Sequence, residues 1–413
     1  MKSLVVWFES RRVGIVRLDE QDRFRFVYDS AWLATSGFPV SLTLPLAPEE
    51  YVGGPAHAFF ANLLPEGPAR DAVCSRLKIS DRNDFALLEA IGGECAGALS
   101  LIDPSRSPPD PDDFDYEEIG RKQLKALEAA DGVPLLLGGA EARLSLAGAQ
   151  DKLPVALLDG KLHLPKGGAP STHILKLPNP HFAHLPVNEA FVLGLAKRVG
   201  LEVVAAELFT QTKSPSLLVE RYDREWQEGT ARRLHQEDLC QALGVPPSRK
   251  YESEGGPSFV RVAHCIRDNV YQPLIDVRRV IGWQAFNVVA GNLDGHAKNL
   301  ALTYAVTGEV RLAPFYDLVS TREYKKPSRS LAMNVGGQDD PDALHGREWI
   351  ALAHDLDISE RVLLDVVREV GEKSLGEIDG WKTEFRHRHG NQSILQTLPK
   401  ETAKRARRML AAL

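Results

Sequence analysis

Residues 133–235 constrain the fold more than any other part of this chain. They read as short apolar runs joined by glycine-rich connections: "RLSLAGAQDKLPVALLDGKLHLPKGG", "THILKLP", "LEVVAAELFTQT" and "SLLVERYD". Apolar runs of period two separated by Gly turns describe an antiparallel sheet. One helix interrupts them, "NEAFVLGLAKRVG", with Asn188 expected as its N-cap, Lys197 and Arg198 in its last turn and Gly200 as its stop. A sheet with one helix makes a small lobe. From residue 236 to 413 helical periodicity dominates, so the expected class is α+β with a mostly helical C-terminal lobe.

A chain of 413 residues exceeds what one core holds, since single cores stop growing at roughly 250–300 residues. The remaining unit lies upstream. "SLVVWF", "VGIVRL" and "RFRFVY" alternate like a small meander, and "AHAFFANLLPEGPARDAVCSRL" and "DFALLEAIGGECAGAL" carry helical spacing broken at Gly and Pro. We place this N-terminal subdomain at 1–105, a Pro- and Asp-rich linker with a connecting helix at 106–132, the β-rich lobe at 133–235 and the helical lobe at 236–413. No window approaches a membrane span, and the N-terminus lacks an apolar signal core, so a cytoplasmic protein is expected. Cys74, Cys95, Cys240 and Cys265 form no CxxC pair, which argues for buried free thiols. A net charge of −6 gives no whole-chain attraction to nucleic acid, so DNA contact must be local or come through a partner.

The chemistry concentrates in "NVVAGNLDGHAKNLAL", residues 287–302, where an apolar helical run ends in Asp, Gly, His, Lys and Asn. Asp294 precedes Asn299 by five positions, the offset of the kinase catalytic loop H-R-D-x-x-x-x-N. There the Asp takes the acceptor hydroxyl's proton, and the Asn offers magnesium a neutral oxygen without adding charge beside the phosphates. Downstream, Asp317 in "LAPFYDLVS" suits a magnesium-binding carboxylate, although a turn or cap residue is the plainer alternative. Upstream, Lys176 in "HILKLP" sits on an apolar strand like a phosphate-neutralising kinase lysine, or else faces outward. Glu189 is the nearest helix glutamate to pair with it, though a first-turn position favours the helix dipole in any case. "SLAGAQDK", residues 145–152, offers small residues whose amides can approach phosphates. Small-residue loop, strand lysine, helix, strands, helices, Asp-x4-Asn and Asp follow one another in a kinase's order.

Those residues lie within a longer set: "FFANLLPEGP", "SLAGAQDKLPV", "THILKLP", "VNEAF", "LLVERYDR", "HQEDLCQALGVPPSRKYESEGGP", "NLDGHAKN" and "PFYDL". With them, nearly the whole chain resembles the HipA family of bacterial serine/threonine kinases, toxins of toxin–antitoxin pairs. The resemblance implies a two-lobed protein-kinase-like fold using ATP and Mg2+, with Asp294 as catalytic base and Asn299 and Asp317 as metal ligands. Lys176 would meet the nucleotide phosphates, and Ala147, Gly148, Ala149, Gln150, Asp151 and Lys152 would form the phosphate loop. Glu220, Arg221 and Tyr222 would form the adenine-contacting hinge, with His296 and Tyr316 near the nucleotide. Ser145 matches the family's autophosphorylated serine. The implied partners are a protein substrate in translation, glutamyl-tRNA synthetase in the best-known case, and a helix-turn-helix antitoxin on operator DNA. Two features depart from direct DNA contact: "LAHDLDISER" is acidic, and the basic tail "KETAKRARRMLAAL" reads as a solvated amphipathic helix. The rival readings are a small-molecule kinase and a non-catalytic nucleotide-binding corepressor.

Overall fold

The computed structural model describes all residues except 1, 36, 109, 111–112, 130–151, 180, 212–213, 228–229, 306–307 and 326–328. The expected meander forms from β1 (Ser3–Phe8), β2 (Arg11–Leu18) and β3 (Phe24–Tyr28). It is followed by α1 (Ser30–Ala34), β4 (Tyr51–Val52), α2 (Gly54–Ala61), α3 (Gly67–Leu77), α4 (Asp84–Ile91) and β5 (Leu99–Ile102). The five strands make one antiparallel sheet in the order β4-β3-β2-β1-β5. Alternation puts Phe24, Phe26 and Tyr28 on its buried face, against Phe59, Phe60 and Phe85 of the helices.

The second sheet contains β6 (Asp115–Glu118), β7 (Lys152–Leu158), β8 (Lys161–Lys166), β9 (His173–Lys176), β10 (Ala206–Phe209) and β11 (Ser216–Glu220). Its order is β10-β11-β9-β7-β8-β6. Residues 115–118, which the sequence places in the linker, thus serve as its edge strand, with α5 (Arg121–Ala129) following. The lobe's helix, α6 (Leu185–Val199), begins three residues before Asn188 rather than at it. Asn188 is fully buried, and its amide exchanges two 3.0 Å hydrogen bonds with the Ser320 backbone. A residue that looks like a cap is a cross-brace because its side chain points inward. Gly200 does end the helix in the left-handed conformation, with Lys197 and Arg198 in the last turn.

A two-stranded ribbon, β12 (Arg224–Gln227) and β13 (Thr230–Arg233), leads into the helical lobe. There β14 (His235–Asp238), α7 (Leu239–Ala242), α8 (Phe259–Asn269), α9 (Pro273–Ala290), β15 (Ala301–Tyr304) and β16 (Val310–Leu312) precede three helices. These are α10 (Gly346–Asp355), α11 (Glu360–His389) and α12 (Leu398–Ala412). The small sheet β14-β15-β16 gave no recognisable signal amid the helical pattern. Helix α9 is buried over most of its length and forms the axis of the largest core, which reaches into α6 and α11. Among the described residues no helix is long and apolar enough to cross a membrane. Cys74, Cys95 and Cys240 are buried thiols and Cys265 is partly covered.

The N-terminal unit docks on this lobe through polar as well as apolar contacts. Buried Glu94 meets Arg221, Arg224 and Arg233, while His235 stacks on Phe38 at 4.5 Å. Glu237 accepts from Ser41 Oγ at 2.5 Å, from the Leu42 amide at 2.9 Å and from the Tyr304 hydroxyl. Burial outweighs these donors and pushes the Glu237 carboxyl up to about 7 from 4.5. A raised carboxyl favours the folded state below its unfolded value, and that advantage is lost as pH rises through 7. The shift corresponds to roughly 3 kcal/mol. The wild type is therefore expected to gain thermal stability relative to Glu237→Gln as pH falls from about 8 to about 5, measured by calorimetric melting. A difference that stays flat across this window would show that Glu237 does not titrate on unfolding.

Candidate active site

The Asp-x4-Asn cluster occupies the turn between α9 and β15. Helix α9 stops at Gly291 with φ +72°, and a Cβ there would lie 2.8 Å from the Arg405 guanidinium carbon. The left-handed cap therefore requires glycine. Arg405 on α12 donates to the Val289 carbonyl at 2.9 Å and the Ala290 carbonyl at 2.8 Å, satisfying the last carbonyls of α9. The tail helix expected to be solvated thus sends a buried arginine behind the Asp-x4-Asn turn. Ahead of that cap, the Asp294 amide donates to Asn292 Oδ1 at 3.2 Å and the Leu293 amide to Thr321 Oγ1 at 2.9 Å. The backbone is fixed, yet the Asp294 side chain is exposed to the cavity and, among the described residues, accepts only the Tyr251 hydroxyl, at 2.7 Å.

Across the cavity stand the strand lysine and its partners. Lys176 ends β9 in register with Lys152 at the start of β7, so both lysines lie at the same end of adjacent strands. Buried Lys176 Nζ reaches Glu189 Oε1 at 2.5 Å and Asp317 Oδ1 at 2.7 Å, and Lys152 Nζ lies 4.0 Å from Asp317 Oδ2. Burial alone would discharge Lys176, but Asp317 and then Glu189 hold its pKa above the ordinary lysine value. Burial raises the Asp317 carboxyl, and Lys176 followed by Lys152 more than reverses this, holding it well below the usual carboxylate range. Asp317 itself takes φ +58°, a sparsely populated conformation of the kind found at functional sites.

Lys152, Lys176, Asp294 and Asp317 border one cavity of about 710 Å3, a size suited to a nucleotide. Tyr222 and Tyr316 stack at 5.8 Å on one wall, and the Tyr316 hydroxyl donates to the Lys298 carbonyl at 2.7 Å. His296 is buried at 5% exposure, and burial drives its pKa down to about 4, leaving the imidazole neutral. Glu220 is exposed on the rim, whereas Arg221 turns its guanidinium away to Asp223, Ser171 and the Cys95 carbonyl. Lys152 is the first described residue of its loop; Ser145 and Ala147, Gly148, Ala149, Gln150 and Asp151 lie outside the described residues. Asn299, 5% exposed, and Asp317 both reach this cavity. Magnesium commonly takes one or two protein oxygens and completes its shell with phosphates and water. An amide carbonyl with one carboxylate fits that pattern, and among the described residues no larger His, Cys, Asp or Glu cluster competes for a metal.

Four residues from the N-terminal unit also line the cavity, Asn62, Leu63, Glu66 and Ala96, and the polar pair, Asn62 and Glu66, comes from "FFANLLPEGP". Nothing in their local spacing marks them as site residues, because their partner Lys298 lies 236 positions from Asn62.

Residues 144–377 match the HipA-like C-terminal domain family, and residues 4–102 match the HipA N-terminal domain. The chain belongs to the HipA family. The serine/threonine-protein kinase toxin HipA of Shewanella oneidensis is 30% identical over 372 residues, covering 85% of this chain and 82% of that protein. Y4mE of Sinorhizobium fredii, a kinase by assignment, is 41% identical over 344 residues and 81% of each chain. The solved Shewanella oneidensis complex of HipA, HipB and operator DNA matches with a TM-score of 0.85 at 27% identity, covering 99% of this chain and 97% of that one. This HipA-family protein is accordingly a serine/threonine kinase with an α+β, two-lobed kinase-like fold.

Proposed function

We propose that this HipA-family kinase acts as a toxin, transferring the γ-phosphoryl group of ATP to a serine or threonine hydroxyl of a cytoplasmic translation protein such as an aminoacyl-tRNA synthetase. A HipB-like helix-turn-helix antitoxin neutralises it and carries it to operator DNA. The observation that supports the reading most is the buried Lys176, ion-paired with Glu189 and Asp317 in the cavity that also holds Asp294 and Asn299. Lys152 and Lys176 supply positive charge for the triphosphate, and the loop 147–152 would serve as its phosphate loop. The 220–222 segment and the stacked Tyr222 and Tyr316 contact the adenine, and neutral His296 supports the nucleotide without adding charge. Asn299 and Asp317 would hold magnesium, which when bound neutralises charge on the transferring phosphate.

Asp294 receives the acceptor's proton as the hydroxyl oxygen bonds to the γ-phosphorus and the bond to the departing ADP breaks. Little covalent work remains for the protein, so positioning and charge complementarity carry the rate. Autophosphorylation of Ser145 would switch the kinase off, because roughly 1.5–2 negative charges appear beside the loop that receives ATP. The test is incubation of the purified chain with labelled ATP and magnesium, with and without cytosolic extract, followed by mass spectrometry. Phosphate is expected on Ser145 and on an extract protein, and the phosphorylated chain is expected to bind ATP much more weakly than Ser145→Ala. Absence of any transfer would overturn the kinase reading. Phosphate found elsewhere, or undiminished ATP binding, would remove only the Ser145 mechanism.

A further inference from the structure

Glu66 sits immediately before α3, in the N-terminal unit, yet its carboxylate lies between two lysines of the kinase lobe. Lys250 Nζ donates to Oε2 at 2.9 Å, and Lys298 Nζ lies 3.1 Å from Oε1. Lys298 is only 7% exposed, so its ammonium needs close partners. It is held further by the Asn62 carbonyl at 3.0 Å, by Asn62 Oδ1 at 2.8 Å, and by Asp238 Oδ2 at 3.5 Å. Burial raises the Glu66 carboxyl, and Lys298 and Lys250 reverse this to hold it down at about 2.

Lys298 is the chain neighbour of a residue in the 291–299 turn, and Lys250 of a residue that contacts that turn. Lys298 directly precedes Asn299, and its carbonyl receives the Tyr316 hydroxyl next to Asp317. Lys250 directly precedes Tyr251, with its ammonium 5.4 Å from the Tyr251 ring centroid. The Tyr251 hydroxyl in turn donates to Asp294 Oδ1, and its ring packs edge-on against His296 at 5.2 Å. One carboxylate from outside the kinase lobe therefore reaches the proposed metal-binding residue by one route and the proposed base by another.

We propose that Glu66 is a positioning residue for phosphoryl transfer: through Lys298 and Lys250 it sets Asn299 and Asp294, so the docked N-terminal unit is part of the catalytic apparatus. The inference rests on the kinase reading above. A purely adhesive role would change stability without a specific effect on turnover, and Glu237, at the same junction but not lining the cavity, provides that comparison.

Glu66→Gln keeps the side chain's shape and removes the charge. Its kcat is expected to fall roughly tenfold to a hundredfold with the KM for ATP within about twofold of wild type, because small misplacements of reacting groups are costly while ground-state binding is untouched. Glu237→Gln is expected to keep wild-type kcat. Lys298→Met should also be slow, and the double variant Glu66→Gln/Lys298→Met no slower than the worse single one, since both act along one route. Lys250→Met, tested alone, should lower kcat in the same direction and covers the case in which Glu66→Gln does not fold. Wild-type kcat in Glu66→Gln, or losses that multiply independently in the double variant, would overturn the positioning role while an active wild type leaves the kinase reading standing. A wild type that transfers nothing would defeat both.

Discussion

Asp294→Asn is expected to slow phosphoryl transfer by roughly a thousandfold while ATP still binds, the size of effect typical for removal of a general base. The substitution isolates the chemistry well. An amide oxygen at the same place can still accept the Tyr251 hydroxyl, and the Asn292 contact uses the backbone amide, so the turn keeps its shape. An amide cannot take the acceptor's proton, and among the described residues no other carboxylate accepts from the Tyr251 hydroxyl. Lys152, Lys176 and Asp317 remain to meet the nucleotide, which is why kcat should fall and ATP affinity should not. Single-turnover kinetics with calorimetric ATP titration check both halves. Transfer at the wild-type rate would remove Asp294 from the role of base.

Asp317→Asn is expected to abolish the strengthening of ATP binding by magnesium, a loss on the order of a hundredfold or more, beyond the 10–100-fold typical of outer metal partners. Asparagine is the informative replacement because it tolerates the φ of +58° found here, whereas alanine would add backbone strain to the loss of charge. With the carboxylate gone, Lys176 keeps Glu189 as its ion-pair partner, so the lysine stays anchored while the metal oxygen disappears. Calorimetric titration with ATP alone and with ATP and magnesium separates the two contributions. Equal magnesium enhancement in both proteins would rule out Asp317 as a ligand.

Residues whose role depends on local sequence were the legible ones. Asp294 and Asn299 share a single turn, and Lys176 stands on a strand whose alternation is plain, so spacing raised them as candidates and the kinase-like order of segments chose among the alternatives. Asp317 meets Lys176 across 141 positions, and only the kinase-like order of segments hinted at that contact. Asn62 and Glu66 were hidden, because a contact between separate units leaves no periodic trace in either one. Asn188 misled for a related reason: an Asn ahead of an apolar run looks like a cap, and only the packed structure shows its amide bonded to Ser320. Arg405 shared the polar-rich pattern of its helix, and nothing local distinguished the arginine turned inward from those turned out. Burial of single polar side chains is a property of the assembled core, which periodicity averages away.

The arginine behind the Asp-x4-Asn turn also sets an order in time. A ribosome delivers the turn at 291–299 well before its brace, since Arg405 follows the Ala290 carbonyl it holds by 115 residues. During that interval the nascent chain has its N-terminal unit, its sheet and its strand lysine, but α9 ends in uncapped carbonyls. A growing polypeptide thus lacks the brace behind its 291–299 turn until α12 has emerged and folded back.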